Sequence, residues 1–216
     1  MTSYTALSAL PFPQPTDSAD LPAHMKALAD AADGRTVLRF ADAATRDAKI
    51  TAPAAGMVAW LAAPGCFTYH NGTAWVGLGV WNGYTPTWTA TTTNPTIGDG
   101  TIAGRYALVG KTCHFQMTLV HGSTTTNGSG AYTFGLPVAA GAAGTLVQFV
   151  GNTSNSAGRA LVSGQLAATS GATGFTVWAP GSTTGNTLGQ LGSGGVFGTA
   201  FSSGSFLRLS GTYETS

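Results

Sequence analysis

Residues 112–120 read Thr-Cys-His-Phe-Gln-Met-Thr-Leu-Val. Cys113, Phe115, Met117 and Leu119 alternate with His114, Gln116, Thr118 and Val120, and successive side chains of a strand point to opposite faces. The stretch therefore predicts a half-buried strand with one apolar and one polar face. Around it, short apolar or alternating runs recur at 104–109, 131–136, 144–150, 159–166, 174–179 and 206–213, broken by Gly, Asn, Ser and Pro. Short strands at regular spacing, with turn residues between them, predict a mainly β protein with a β-sandwich or jelly-roll-like domain over 81–216.

The chain before that domain reads differently. Residues 1–20 carry Pro11, Pro13 and Pro15, which suit neither a continuous helix nor a central strand, so an extended arm is expected, with Phe12 as a docking point. Asp20 is placed to cap a short helix that Leu21-Pro22 opens and Gly34 closes. On it Leu21, Met25, Leu28 and Ala32 form an apolar stripe spaced 4, 3, 4. A helix this short needs something to pack on: its own domain, or the same helix from identical chains in a parallel bundle. Residues 35–80 predict a small α+β module. Its expected parts are a strand at 36–40, a helix capped by Asp42 with Arg46 and Lys49 outward, a strand at 56–61, and a hairpin of 66–70 with 73–76. Asn71-Gly72 suits a type I′ turn for that hairpin.

Composition narrows the function classes. Only 8% of the 216 residues are charged, against about 25% in ordinary soluble domains. Residues 51–98 carry no charge, and 99–216 carry only Asp99, Arg105, Lys111, Arg159, Arg208 and Glu214. Hydroxyl, amide and glycine residues are expected to solvate the surface instead. The net charge of +1 argues against nucleic acid as a partner. No stretch is apolar enough for a membrane span. The first residues, MTSYTALSALPFPQP, do not resemble a secretory signal, so folding in a cytoplasm is expected. Cys66 and Cys113 have no metal spacing and read as free, buried thiols.

Residues 88–137 carry NPTIGDGTIAGRY, a Gly-Lys before a strand, GSTT with GSG, and a Tyr-x-Phe-x-Leu-Pro strand end. This stretch resembles the C-terminal domain of tail-fibre and minor tail proteins from phages of actinobacteria. FADAATRDAKITAPAAGMVAWL, with the aromatic hairpin ending NGTAWV, resembles the connecting module of such proteins. Asp99 departs from the Asn more common at that place; both suit a tight turn before Gly100. The resemblance implies a homotrimer located in the virion, at the tail tip or fibre. Residues 1–34 would attach to other tail or baseplate proteins and trimerise through Leu21, Met25, Leu28 and Ala32. Residues 35–80 would form a collar, and residues 81–216 would face a host cell-surface glycan. A purely structural tail component, or the fibre of a phage-derived contractile injection particle, is the alternative.

Catalysis is not expected. Hydrolysis calls for paired carboxylates, a metal cluster or a nucleophile with a base, and after residue 50 the only acids are Asp99 and Glu214. His70, His114 and His121 have no metal-ligand spacing, and no cofactor is implied. The sequons at Asn71, Asn127 and Asn152 read as turn residues. Aromatics are the better lead, since sugars stack on exposed rings: Trp81, Tyr84 and Trp88 in one Gly/Pro/Thr-rich connection, and Trp178 at a strand end. For Trp81 and Trp88 packing between modules is the competing reading. With few charges taking part, binding is expected to be insensitive to salt.

Overall fold

The computed structural model describes residues 3–5, 9–32, 36–141, 148–166, 171–181 and 187–216. Gly34 with the 34/35 boundary, and residues 144–147 of the strand expected at 144–150, lie outside these. The protein is mainly β and divides into two compact units, Met1–Leu78 and Gly79–Ser216.

In the first unit, β1 (Ser3–Tyr4) and β2 (Pro11–Phe12) form a two-stranded antiparallel ladder, an edge position that tolerates Pro11. Helix α1 (Leu21–Ala32) follows, and the Asp20 carboxylate accepts the Ala23 N–H at 3.0 Å. No residue of α1 is buried. Leu21 is 68% and Met25 59% exposed, so this stripe has almost no cover within the chain.

A four-stranded sheet in the order β3-β4-β5-β6 completes the unit: β3 (Leu38–Phe40), β4 (Val58–Leu61), β5 (Cys66–His70) and β6 (Trp75–Gly77). Helix α2 (Ala43–Lys49) links β3 to its parallel neighbour β4, and Asp42 Oδ1 caps it by accepting the Thr45 N–H at 2.8 Å. Two expectations fail here. Arg46 is not outward but 5% exposed. Its guanidinium donates to Thr68 Oγ1 at 3.2 Å and to Asp47 Oδ1 at 2.9 Å, and it lies over the Trp75 ring at 4.4 Å. An acceptor on β5 and a ring on β6 make the inward side of α2 a site for a cation, whose charge Asp47 compensates. Nor is the hairpin turn type I′. His70 pairs with Trp75, leaving a four-residue loop in which Asn71 Oδ1 accepts the N–H groups of Thr73 and Ala74 at 2.9 and 2.8 Å. Only Gly72 takes a positive φ, 101°, where a type I′ turn needs two such residues. Asn71 supplies the turn with its side chain instead.

The second unit is one antiparallel ten-stranded sheet. Its strands are β7 (Asn82–Tyr84), β8 (Trp88–Ala90), β9 (Thr101–Val109), β10 (Thr112–Val120), β11 (Tyr132–Gly135), β12 (Gln148–Asn155), β13 (Gly158–Leu166), β14 (Gly174–Pro180), β15 (Leu188–Gln190) and β16 (Phe206–Glu214). The order is β7-β9-β10-β16-β12-β13-β14-β11-β8, with β15 also on β14. Phe115 of β10 and Phe175 of β14 are four strands apart, which would be roughly 19 Å in a flat sheet; their rings are 5.6 Å apart. The sheet therefore curls over its own apolar face. The layered core expected of a sandwich is made by a single sheet closing on itself.

Phe149 of β12 fills the centre of that curl, 4.7 Å from Phe115 and 5.2 Å from Phe175. It fits because its neighbours on β13 and β16 are Gly164 and Gly211; a Cβ at Gly211 would overlap its ring. Burying each such ring stabilises the fold by about 1.5–3 kcal/mol.

The quoted IGDG segment has a structural task. The Asp99 carboxylate accepts the N–H and hydroxyl of Ser123 at 3.1 and 2.8 Å, and those of Thr124 at 2.7 and 2.8 Å. This ties the β8–β9 loop to the β10–β11 loop. The loops approach so closely that a Cβ on Gly98 or Gly100 would strike Thr124 or Thr125.

Candidate functional site

The inner face of the curled sheet is sealed by side chains, so its outer face is the surface on offer. The alternation seen at 112–120 sets it: Cys113, Phe115, Met117 and Leu119 are buried, while His114, Gln116 and Thr118 look out. The other long strands keep the same phase, and the ladder registers align their outward residues in rows. One row runs Arg105, Gln116, Ser210, Val150, Ser163, Trp178 and Gln190 across seven strands. The next runs Ala103, Thr118, Arg208, Asn152 and Leu161.

Three adjoining depressions lie along these rows. One of about 260 Å³ is lined by Ala103, Arg105, Gln116 and Thr118. The second, also 260 Å³, is lined by Gln116, Val150, Asn152, Arg208 and Ser210. The third, 430 Å³, is lined by Asn152, Arg159, Leu161, Phe206 and Arg208. Apolar residues stand among the polar ones: Leu161 is 82% and Val150 70% exposed.

The four aromatic candidates separate. Trp178 sits on the outer face, half-buried, with Ser163 on one side and Gln190 on the other; its buried indole N–H has no partner among the described residues. Trp81 is exposed, with the Arg105 guanidinium 4.6 Å over its ring. Trp88 is packed inward, 5.3 Å from His121, 5.2 Å from Tyr132 and stacked 6.4 Å from Phe134. Tyr84 lies against Tyr106 at 6.0 Å and covers Gly104, and burial raises its phenol pKa. Trp81 thus stays exposed and Trp178 half-exposed, while Trp88 and Tyr84 are taken up by packing.

The histidines do not converge. His70 is buried beside Trp75, 5.4 Å between rings. His114 is outward, its Nδ1 2.8 Å from Thr212 Oγ1. His121 is buried between Trp88 and Phe201, and burial lowers its pKa. Among the described residues no three His, Cys, Asp or Glu side chains are grouped for a metal ion. The two acids of the unit are apart in role: Asp99 is consumed by the loop tie, and Glu214 stands at the far end of β16, opposite Thr112. Cys113 is buried, which raises its thiol pKa, and Cys66 is only half-buried. Of the sequon residues, Asn71 is in a turn, but Asn152 is paired in mid-strand on β12, facing outward. Its neighbours Gly151 and Thr153 continue the ladder, so the Asn-x-Ser sequence at 152–154 did not mark a turn there. Asn127 is half-buried and donates to the Phe201 carbonyl at 2.8 Å.

The outer face offers hydroxyls, carboxamides, guanidinium groups and the Trp178 indole, with the Trp81 indole beside Arg105. In sequence Val150 and Leu161 were not named, Asn152 was read only as a turn residue, and Arg105, Arg159 and Arg208 were only counted among the few charges. The polar alternation of 112–120 was the one signal pointing to their face.

No protein-family profile, curated protein or solved structure matches this chain.

Proposed function

We propose that the chain is a trimeric tail-fibre or receptor-binding protein of a tailed phage, whose β unit holds a host cell-surface glycan. The observation that carries the reading is the outer face of the curled sheet. It sets hydroxyl and amide side chains in rows, with guanidinium and apolar groups among them, and indoles at Trp81 and Trp178 for sugar rings to stack on. Helix α1 supports the trimer: an apolar stripe left largely exposed among the described residues suits a parallel bundle with two copies of itself. The resemblance of residues 88–137 to tail-fibre domains supports the viral setting. Residues 1–34 would then attach to other tail proteins, and the protein would reside in the virion. The exposed Val150 and Leu161 favour a second reading, a structural component whose β unit contacts other virion proteins.

Competition for host adsorption separates the two. The full chain, added in excess, should block attachment of the phage that carries it, and residues 1–80 alone should not. Equal blocking by residues 1–80, or none by the full chain, would reject the adhesin reading.

A further inference from the structure

The second unit has four basic side chains, Arg105, Lys111, Arg159 and Arg208. Lys111 lies in the β9–β10 turn, whereas all three arginines are exposed on the outer face. Their placement is regular. Arg105 of β9 pairs with Gln116, which pairs with Ser210, two residues along β16 from Arg208. Arg208 pairs with Asn152, which pairs with Leu161, two residues along β13 from Arg159. Each arginine is therefore two strands across and two residues along from the last, in the same sense, a straight diagonal with steps of roughly 12 Å.

No carboxylate ion-pairs with these arginines among the described residues, and none lines the three depressions. Glu214 is six residues down β16 from Arg208, about 20 Å away. Two of the guanidinium groups are held in place: Arg105 by Trp81 and by its Nε–H donating to Gln116 Oε1 at 2.9 Å, Arg208 by the Phe206 ring at 4.6 Å. Stacking fixes the plane of the fork and leaves its remaining N–H groups free for a bidentate anion.

We infer that the outer face binds a linear acidic polymer, with carboxylate or phosphate groups seated on Arg105, Arg208 and Arg159 and neutral units lying on Gln116, Asn152, Ser210 and Val150 between them. This rests on the glycan-binding reading and names the class of glycan. A single small anion would need only one of the three forks; a row of three, with amides and hydroxyls between, matches a repeating chain. The low overall charge had suggested binding insensitive to salt. With the charges gathered on one line, binding instead weakens as salt screens or displaces them.

The test uses the full chain and calorimetric titration with polygalacturonate, poly(glycerol phosphate) and neutral dextran, at about 50 and 300 mM salt. One or both acidic polymers should bind, and more weakly at the higher salt. Arg105→Gln, Arg159→Gln and Arg208→Gln should each weaken binding about tenfold, as loss of a charge-assisted hydrogen bond does, and the triple variant should abolish it. Lys111→Gln, off the diagonal, should change little; an equal loss there would mean that net charge alone is felt and would overturn the site. Dextran binding that survives the triple variant would overturn the acidic specificity while leaving a glycan-binding protein. Binding to none of the polymers, with no retention on isolated actinobacterial cell wall either, would overturn both. Since the three side chains are solvent-exposed, circular dichroism of each variant should match the parent and exclude misfolding as the cause of loss.

Discussion

Helix α1 and strand β10 both carry a regular apolar stripe, and they use it in opposite ways. On β10 every second residue is sealed in an aromatic core. On α1 Leu21, Met25 and Leu28 stand in solvent. The periodicity of each is equally plain in sequence. A pattern thus states which face of an element avoids water; only the rest of the fold states whether the same chain can supply cover. The sheet can, because ten strands curl into a closed interior. The helix, preceded by a proline-rich arm, keeps Leu21, Met25 and Leu28 exposed among the described residues, and the proposed trimer would supply their cover.

Three experiments press on that contrast. The largest effect is expected from Phe149→Ala, which empties the centre of the curl between Phe115, Phe175, Gly164 and Gly211. Loss of transfer energy plus the cavity should cost about 3–5 kcal/mol, read as a fall in the denaturant midpoint with little change in slope. A cost under about 1 kcal/mol would mean that the sheet is not packed as a single core.

Acid should act next, in two windows. His121 is buried with its Nε2 unpartnered among the described residues, and burial puts its folded pKa below the ordinary value of about 6.5. The unfolded chain therefore takes up a proton more readily, and stability falls as pH drops below about 6.5. Asp99 is the other case. Its four accepted hydrogen bonds hold its pKa far below the usual carboxylate range, so its contribution is complete above about pH 4 and drains away as pH falls further. Melting temperatures from pH 8 to 3 should show both declines. His121→Phe should remove the first and Asp99→Asn the second. An unchanged profile in either variant would reject that assignment.

The smallest effect on stability, and the clearest on assembly, belongs to the helix. Leu21→Ser, Met25→Ser and Leu28→Ser together should shift unfolding of the β unit by less than about 0.5 kcal/mol. They should nonetheless reduce the light-scattering mass from near three times 21.7 kDa toward one. A trimer that persists would move the threefold contact to the β unit; a parent chain that is already a monomer would break the comparison at its root.

How far the sequence could be read follows from the same physics. The long strands were visible because one face is wet and one is dry, as at 112–120 and 174–179. So was helix α1, with its cap at Asp20. Arg46 was misread because charge alone suggests an outward side chain; what draws it in is a hydroxyl and an indole from strands 20 to 30 residues away in sequence. The turn after His70 was misjudged because Asn71 could act through its backbone or its side chain, and dipeptide preference does not say which. The arginine diagonal was illegible for a plainer reason. Arg105, Arg159 and Arg208 become neighbours only through four ladder registers, and glycine-rich strands announce their registers weakly.

Strand β16 has one more consequence, for the protein as it is being made. It lies between β10 and β12, yet of the ten strands it leaves the ribosome last. Until Phe206–Glu214 emerges, β10 and β12 each present a bare hydrogen-bonding edge, and Phe149 lacks the Gly211 side of its seat. A chain broken off before residue 206 cannot mimic the finished sheet; its open edges mark it for aggregation or proteolysis. The sheet of this unit is thereby complete only once residues 206–214 have been made.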